Sequence, residues 1–171
     1  DDPLTAAAID AAIAKNISVI VATGNTNLNF PTATTGIATP ACIRNSTRVT
    51  AVDKSNAMTS FAFRHSGFPD TLAAPGVDIV SLNDGGGTIT QSGTSMATPM
   101  VAAAFALIHQ YFKLTQNRIV MSNETQRYLN NTGKLIVDTG GSNLQFSRIN
   151  IFAAIASLDT SSPKITITNP E

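Results

Sequence analysis

Apolar residues along the chain fall into helical, unalternated and turn-bounded patterns. After Asp2-Pro3, an acid placed to cap and a proline suited to a first helical turn, Leu4, Ala8, Ile9, Ala12 and Ile13 recur at helical spacing and predict a helix to about Lys15. Ser18 to Ala22 contains Val19-Ile20-Val21 without alternation, which predicts a strand buried on both faces of a parallel sheet. Arg48 to Val52 reads the same way. Shorter strands are expected at Leu72 to Ala74 and Ile79 to Leu82, with Asn83-Asp84-Gly85-Gly86-Gly87 as a hairpin turn leading back to Ser92. Small apolar residues from Ala97 to about Tyr111 predict a helix able to lie close to a sheet. Thr115 is expected to cap another helix to about Leu129, stopped by Asn130, Asn131 and Gly133. Asn150 is expected to cap a last helix through Leu158, with Ile151, Ala154, Ile155 and Leu158 on one face. Helices alternating with buried strands predict an α/β fold.

Composition narrows this. The 171 residues include 43% hydrophobic residues, enough for a domain core, and carry a formal net charge of zero. A neutral chain offers no electrostatic footprint for nucleic acid or an anionic membrane, so neither is expected as a partner. Charged residues are only 13%, and Ser, Thr and Asn are frequent, a surface common outside the cell. Cys42 stands alone, so no disulfide can form within the chain. There is no initiator methionine, signal peptide or long apolar run, and the chain reads as a processed piece. Residues 1–158 read as one unit. From Asp159 to Pro163 the composition becomes that of a linker, and Lys164 to Thr168 alternates like the first strand of a further segment.

The candidate chemistry centres on Gly93-Thr94-Ser95-Met96-Ala97-Thr98-Pro99. A serine at a helix start sits beside N–H groups that lack intrahelical partners, and the positive end of the helix dipole favours negative charge there. The heptamer resembles the nucleophile motif of the subtilisin-like serine proteases. Val19 to Asn25, Ser60-Phe61-Ala62-Phe63 and Leu72-Ala73-Ala74-Pro75-Gly76-Val77-Asp78-Ile79 resemble further segments of that family, in the family's order, and the likeness covers about Asp1 to Leu158.

That resemblance implies part of a doubly wound parallel sheet and a serine endopeptidase acting on protein or peptide substrates. It implies Ser95 as nucleophile and Asn25 as the side-chain donor of the oxyanion hole. Ala22, Thr23 and Gly24 would form one wall of the pocket for the side chain before the scissile bond, Met96 the leaving-group side, and Thr39-Pro40 a cis peptide near the pocket floor. The family's triad runs Asp, His, Ser along the chain, so the chain corresponds to the C-terminal half of a catalytic domain. An upstream half would supply the aspartate and histidine and pair with the strand at Ser18 to Ala22. Alone, that apolar edge is expected to self-associate. The other reading is a non-catalytic assembly piece. The family admits calcium, for which the sequence identifies no site; no other cofactor or metal is expected. Secretion is expected from the family and composition. Two departures are Met100, where the family usually has histidine, and Phe146-Ser147-Arg148-Ile149-Asn150, which keeps arginine and asparagine but lacks the glycines.

Within the chain, His109 lies fourteen residues beyond Ser95, about 20 Å along a helix and out of reach. His65 reads as a loop histidine. Gly85 to Gly87 lacks the lysine and serine of a phosphate-binding loop. Asn16, Asn45, Asn123 and Asn130 begin N-x-[ST] triplets of a kind common by chance in an asparagine-rich chain.

Overall fold

A computed structural model describes residues 2–27 and 36–159. The reading of residues 160–171 as a linker and strand falls outside these residues, as does part of the loop after Asn27. The Asp2 carboxylate accepts from Leu4 N and Thr5 N at 3.2 and 3.3 Å and starts α1 (Pro3–Ala14). The strands are β1 (Ile20–Ala22), β2 (Thr47–Val52), β3 (Leu72–Pro75), β4 (Ile79–Leu82), β5 (Thr88–Gln91), β6 (Lys134–Val137) and β7 (Gln145–Arg148). The other helices are α2 (Thr94–Gln116), α3 (Ser122–Thr132) and α4 (Ile151–Leu158).

The fold is α/β. Its main sheet has the order β1-β2-β3-β7-β6, parallel from β1 to β7 and closed by β6 antiparallel to β7; β4 and β5 form a separate hairpin. Helix α2 packs on β1, β2 and β3. Its Ala97, Val101, Ala104, Phe105, Ile108 and Phe112 are buried at helical spacing against Val49, Ala51, Leu72 and Ala74. Burying each large member is worth about 1.5–3 kcal/mol. Val52, Ala73, Ile136 and Phe146 form a second cluster.

Three expectations change. Ile20, Val21 and Ala22 are half-buried, not buried on both faces, because β1 lies at the edge of the described sheet with β2 as its one neighbour there. Helix α2 begins at Thr94 and continues through Pro99 to Gln116, so Thr115 lies in its last turn, where its hydroxyl donates to Tyr111 O at 2.7 Å. Helix α3 therefore starts later, at Ser122 after Met121. Strands β6 and β7 were not expected: each buries a single side chain, Ile136 or Phe146, too little to show an alternating pattern.

Long-range polar contacts fix the loops. Asn16, at φ +56°, donates through Nδ2 to Val120 O and accepts through Oδ1 from Ser122 N, both at 2.9 Å, joining the end of α1 to the start of α3. Its amide is thereby occupied in packing. Arg48, on a fully buried strand, forks onto both oxygens of Asp70 at 2.9 and 3.0 Å and reaches the carbonyls of Ala41, Ile43 and Arg44. That turn follows the Thr39-Pro40 peptide, which is cis.

Arg64 and Asp138, 4% and 3% exposed, pair at 2.6 Å. Burial pushes the Asp138 carboxyl up, but the Ser142 N–H and hydroxyl and then Arg64 outweigh it and hold the group below the ordinary carboxylate range. Asp138→Asn leaves Arg64 buried without its counter-charge and is expected to cost about 3–5 kcal/mol in denaturant unfolding. Because the folded-state value lies below the unfolded one, the stabilisation is complete above the ordinary aspartate range and is lost as pH falls through the folded-state value. The acid limb of the stability curve should flatten in the variant.

The β1 edge yields a second expectation. Val19, Ile20 and Val21 carry neither charge nor proline, so the isolated chain should associate at high concentration, and Val21→Lys should reduce that association in light scattering.

Candidate active site

The site forms where the end of β1 meets the start of α2. Gly93 N donates to Gly76 O at 2.7 Å, and Gly76 can be nothing larger: a Cβ there would lie 2.6 Å from Gly93 O and 2.7 Å from Ala51 Cβ. This close approach seats the turn before α2 directly on the sheet. Ser95 follows as the second helical residue, exposed, at a position whose N–H has no intrahelical acceptor.

Thr94, wholly buried, joins the two elements. Its N–H and hydroxyl both donate to Asn25 Oδ1, at 3.0 and 3.1 Å, while the same hydroxyl accepts from Gly24 N at 3.3 Å. With its carbonyl oxygen held from two sides, the Asn25 amide turns its NH₂ toward Gly93. A Cβ built on Gly93 would stand 3.3 Å from Asn25 Nδ2, 3.5 Å from Met96 Sδ and 3.8 Å from Ser95 N. Two nitrogens that carry N–H groups and a thioether thus lie around Gly93, two residues before the serine. Chemically, this suits an oxygen acquiring negative charge, with preorganised donors that need not reorient.

Asn25 is placed by its neighbours as well. It bridges to Ala62, Thr26 N donates to Phe61 O, and Phe63 N donates to Gly24 O, so the Ser60 to Phe63 segment backs the turn. Gly24 has φ +102°, and a Cβ on it would strike Ala38 Cβ at 2.8 Å and the Phe63 ring at 2.9 Å.

Ser95, Asn25, Gly24 and Met96 therefore come together. Ala22 is half-buried and paired in the ladder with Val49. Thr23 is 0% exposed, and its hydroxyl has no partner among the described residues. Thr94, Gly93 and Gly76 were not singled out as site residues, although the first two stand inside the heptamer; only their contacts reveal what they do.

Neither histidine approaches the serine through a hydrogen bond. His109 Nε2 lies 3.1 Å from Thr125 Oγ1 on α3, and burial lowers its pKa. His65 Nδ1 accepts from Gly67 N at 2.9 Å. Among the described residues, no group of three or more His, Cys, Asp and Glu side chains is placed to hold a metal, and no helix is long and apolar enough to cross a membrane.

Comparison with known proteins places these features in a family. The subtilase family model, peptidase S8, matches residues 2–148. Subtilisin E of Bacillus subtilis (strain 168) is 41% identical over 100 residues, 58% of this chain and 25% of that protein. Subtilisin BL of Lederbergia lenta is 35% identical over 103 residues, 60% of this chain and 35% of that protein. The chain thus spans about a third or less of these curated relatives. Among solved structures, the prenylagaramide maturation protease PagA superposes with a TM-score of 0.80 at 26% identity, over 93% of this chain and 56% of that one. The patellamide maturation protease PatA, at 22% identity and a TM-score of 0.78, shares the fold over 92% of this chain and 57% of that one.

The geometry makes Thr94 the residue that orients the Asn25 amide. Thr94→Val keeps the backbone bond to Asn25 and removes the hydroxyl, leaving Gly24 N without an acceptor. It is expected to cost about 1–3 kcal/mol in denaturant unfolding. The Asn25 side-chain NH₂ signals should also broaden or shift in nitrogen-15 NMR, while those of Asn83 in the hairpin stay in place.

Proposed function

The chain belongs to the subtilase family, and on that premise we propose that it supplies the nucleophile and oxyanion-binding groups of a serine endopeptidase. The observation that carries this reading is that Asn25 Nδ2 and Ser95 N both border Gly93, 3.3 and 3.8 Å from the position a Cβ would take there, two residues before the exposed Ser95. Ser95 Oγ attacks the carbonyl carbon of a peptide bond. The carbonyl oxygen becomes an oxyanion between the two N–H donors, and collapse of the tetrahedral intermediate expels the amine to leave an acyl-Ser95 ester that water hydrolyses.

A serine hydroxyl needs a base to be an effective nucleophile near neutral pH. His65 and His109 bond to Gly67 and Thr125, and the subtilase order Asp, His, Ser along the chain implies a base histidine outside this chain, oriented by an aspartate also outside it. The β1 edge is where the part of the domain bearing them pairs with this one. Met96 borders the leaving-group side, and Ala22, Thr23 and Gly24 border the side chain before the scissile bond. A weakly charged composition rich in Ser, Thr and Asn supports an extracellular setting.

A fluorophosphonate probe is expected to label Ser95 in the intact domain and not in the isolated chain, with labelling abolished by Ser95→Ala. Equal labelling of both forms would overturn the assignment of the base. Asn25→Ala in the intact domain should lower kcat by about 10²–10³-fold with little change in KM, a magnitude known from a subtilisin and carried over to this chain.

A further inference from the structure

Arg148 is the residue of the Phe146 to Asn150 segment that the proposed peptidase chemistry leaves unused. It ends β7, where the carboxyl ends of the parallel strands β3 and β7 meet the start of α4 and the second turn of α2. These elements border an open cavity of about 370 Å³ lined by Arg148, Pro75, Met100, Ala103, Ile149 and Ile151. Ligands in α/β sheets collect outside the carboxyl ends of the strands, and this volume suits a small molecule or one or two residues of a peptide.

The walls are mainly apolar, but the charge is not balanced. Arg148 and Ile149 both line the cavity, and Arg148 Nη1 donates to Ile149 O at 3.4 Å, a long bond. Its Nε is buried with no partner among the described residues. The ion pairs among those residues engage Arg48, Arg64 and Arg118, and none engages Arg148. Lys134 stands directly opposite Arg148 on β6, so the cross-strand neighbour adds positive charge where a counter-ion would be expected. Asn150, also on the wall, is occupied in capping Ala153 N at 3.0 Å. A buried N–H of a cation left unmatched is costly unless a partner arrives.

We propose that this cavity binds a carboxylate carried on an apolar body, such as the C-terminal residue or an acidic side chain of a peptide. The guanidinium fork matches the two oxygens of a carboxylate, and the N-terminal end of α4 adds favourable potential. The apolar part of the ligand lies against Met100, Ala103 and Ile151. A phosphate dianion would demand more donors than these walls present.

The test uses the protein in its intact domain with Ser95→Ala, so that binding is read without hydrolysis and stands or falls apart from the peptidase reading. N-acetyl-L-leucine and its neutral isostere N-acetyl-L-leucinamide are titrated by NMR or calorimetry. Saturable binding of the acid is expected, at least ten-fold tighter than the amide. Arg148→Gln should weaken the acid at least ten-fold. Ala103→Leu, which fills the cavity and keeps the guanidinium, should do the same, and thermal melts without ligand check that each variant folds. No saturable binding of the acid, equal binding of acid and amide, or acid binding unchanged by both substitutions would overturn the proposal.

Discussion

The arrangement around Ser95 depends on one buried threonine. Thr94 contributes both its N–H and its hydroxyl to the carbonyl oxygen of Asn25, and its hydroxyl also receives the N–H of Gly24. A terminal amide is otherwise free to rotate about its last torsion and has no preference between its oxygen and nitrogen ends beyond the partners it meets. Two donors on one side decide the matter, so the NH₂ end lies toward Gly93. The helix start and the strand end are thereby one unit, and whatever moves Thr94 moves both Asn25 and the first turn of α2.

That unit rests on a close approach that only small residues permit. Gly76, Ala51 and Ala97 bring the turn before α2 against β2 and β3, and the buried face of α2 continues the contact through Val101, Ala104 and Ile108. Packing at interior density leaves no room for a larger side chain at Gly76 without displacing backbone. The sheet thus fixes the start of α2, which carries the exposed Ser95.

Two arginines do comparable work for the loops. Arg48 gathers Asp70 and the carbonyls of Ala41, Ile43 and Arg44, while Arg64 binds Asp138 and the carbonyls of Thr59 and Ala62. Each is buried, so each is held by many partners at once. Arg48 and Arg148 each have a buried Nε without a partner among the described residues, but Arg48 is paired with Asp70 and Arg64 with Asp138, whereas no ion pair among those residues engages Arg148.

The local elements around the candidate site were legible in the chain itself. The heptamer around Ser95, the strand run ending at Asn25, the Asp2 and Asn150 caps and the hairpin at Asn83 to Gly87 are local patterns, set by contacts within a few residues, and they record themselves in sequence spacing. The half-buried state of β1, the parallel pairing of β7 with β3, the occupation of Asn16 by residues more than 100 positions away and the clamp of Thr94 on Asn25 were decided by tertiary structure. Helix α2 shows the boundary between the two. Its apolar spacing predicted a helix from Ala97 to about Tyr111, Pro99 included, but its start at Thr94 and its extension to Gln116 follow from packing. Periodicity reports which face of an element is apolar; it carries no record of which distant element that face will meet.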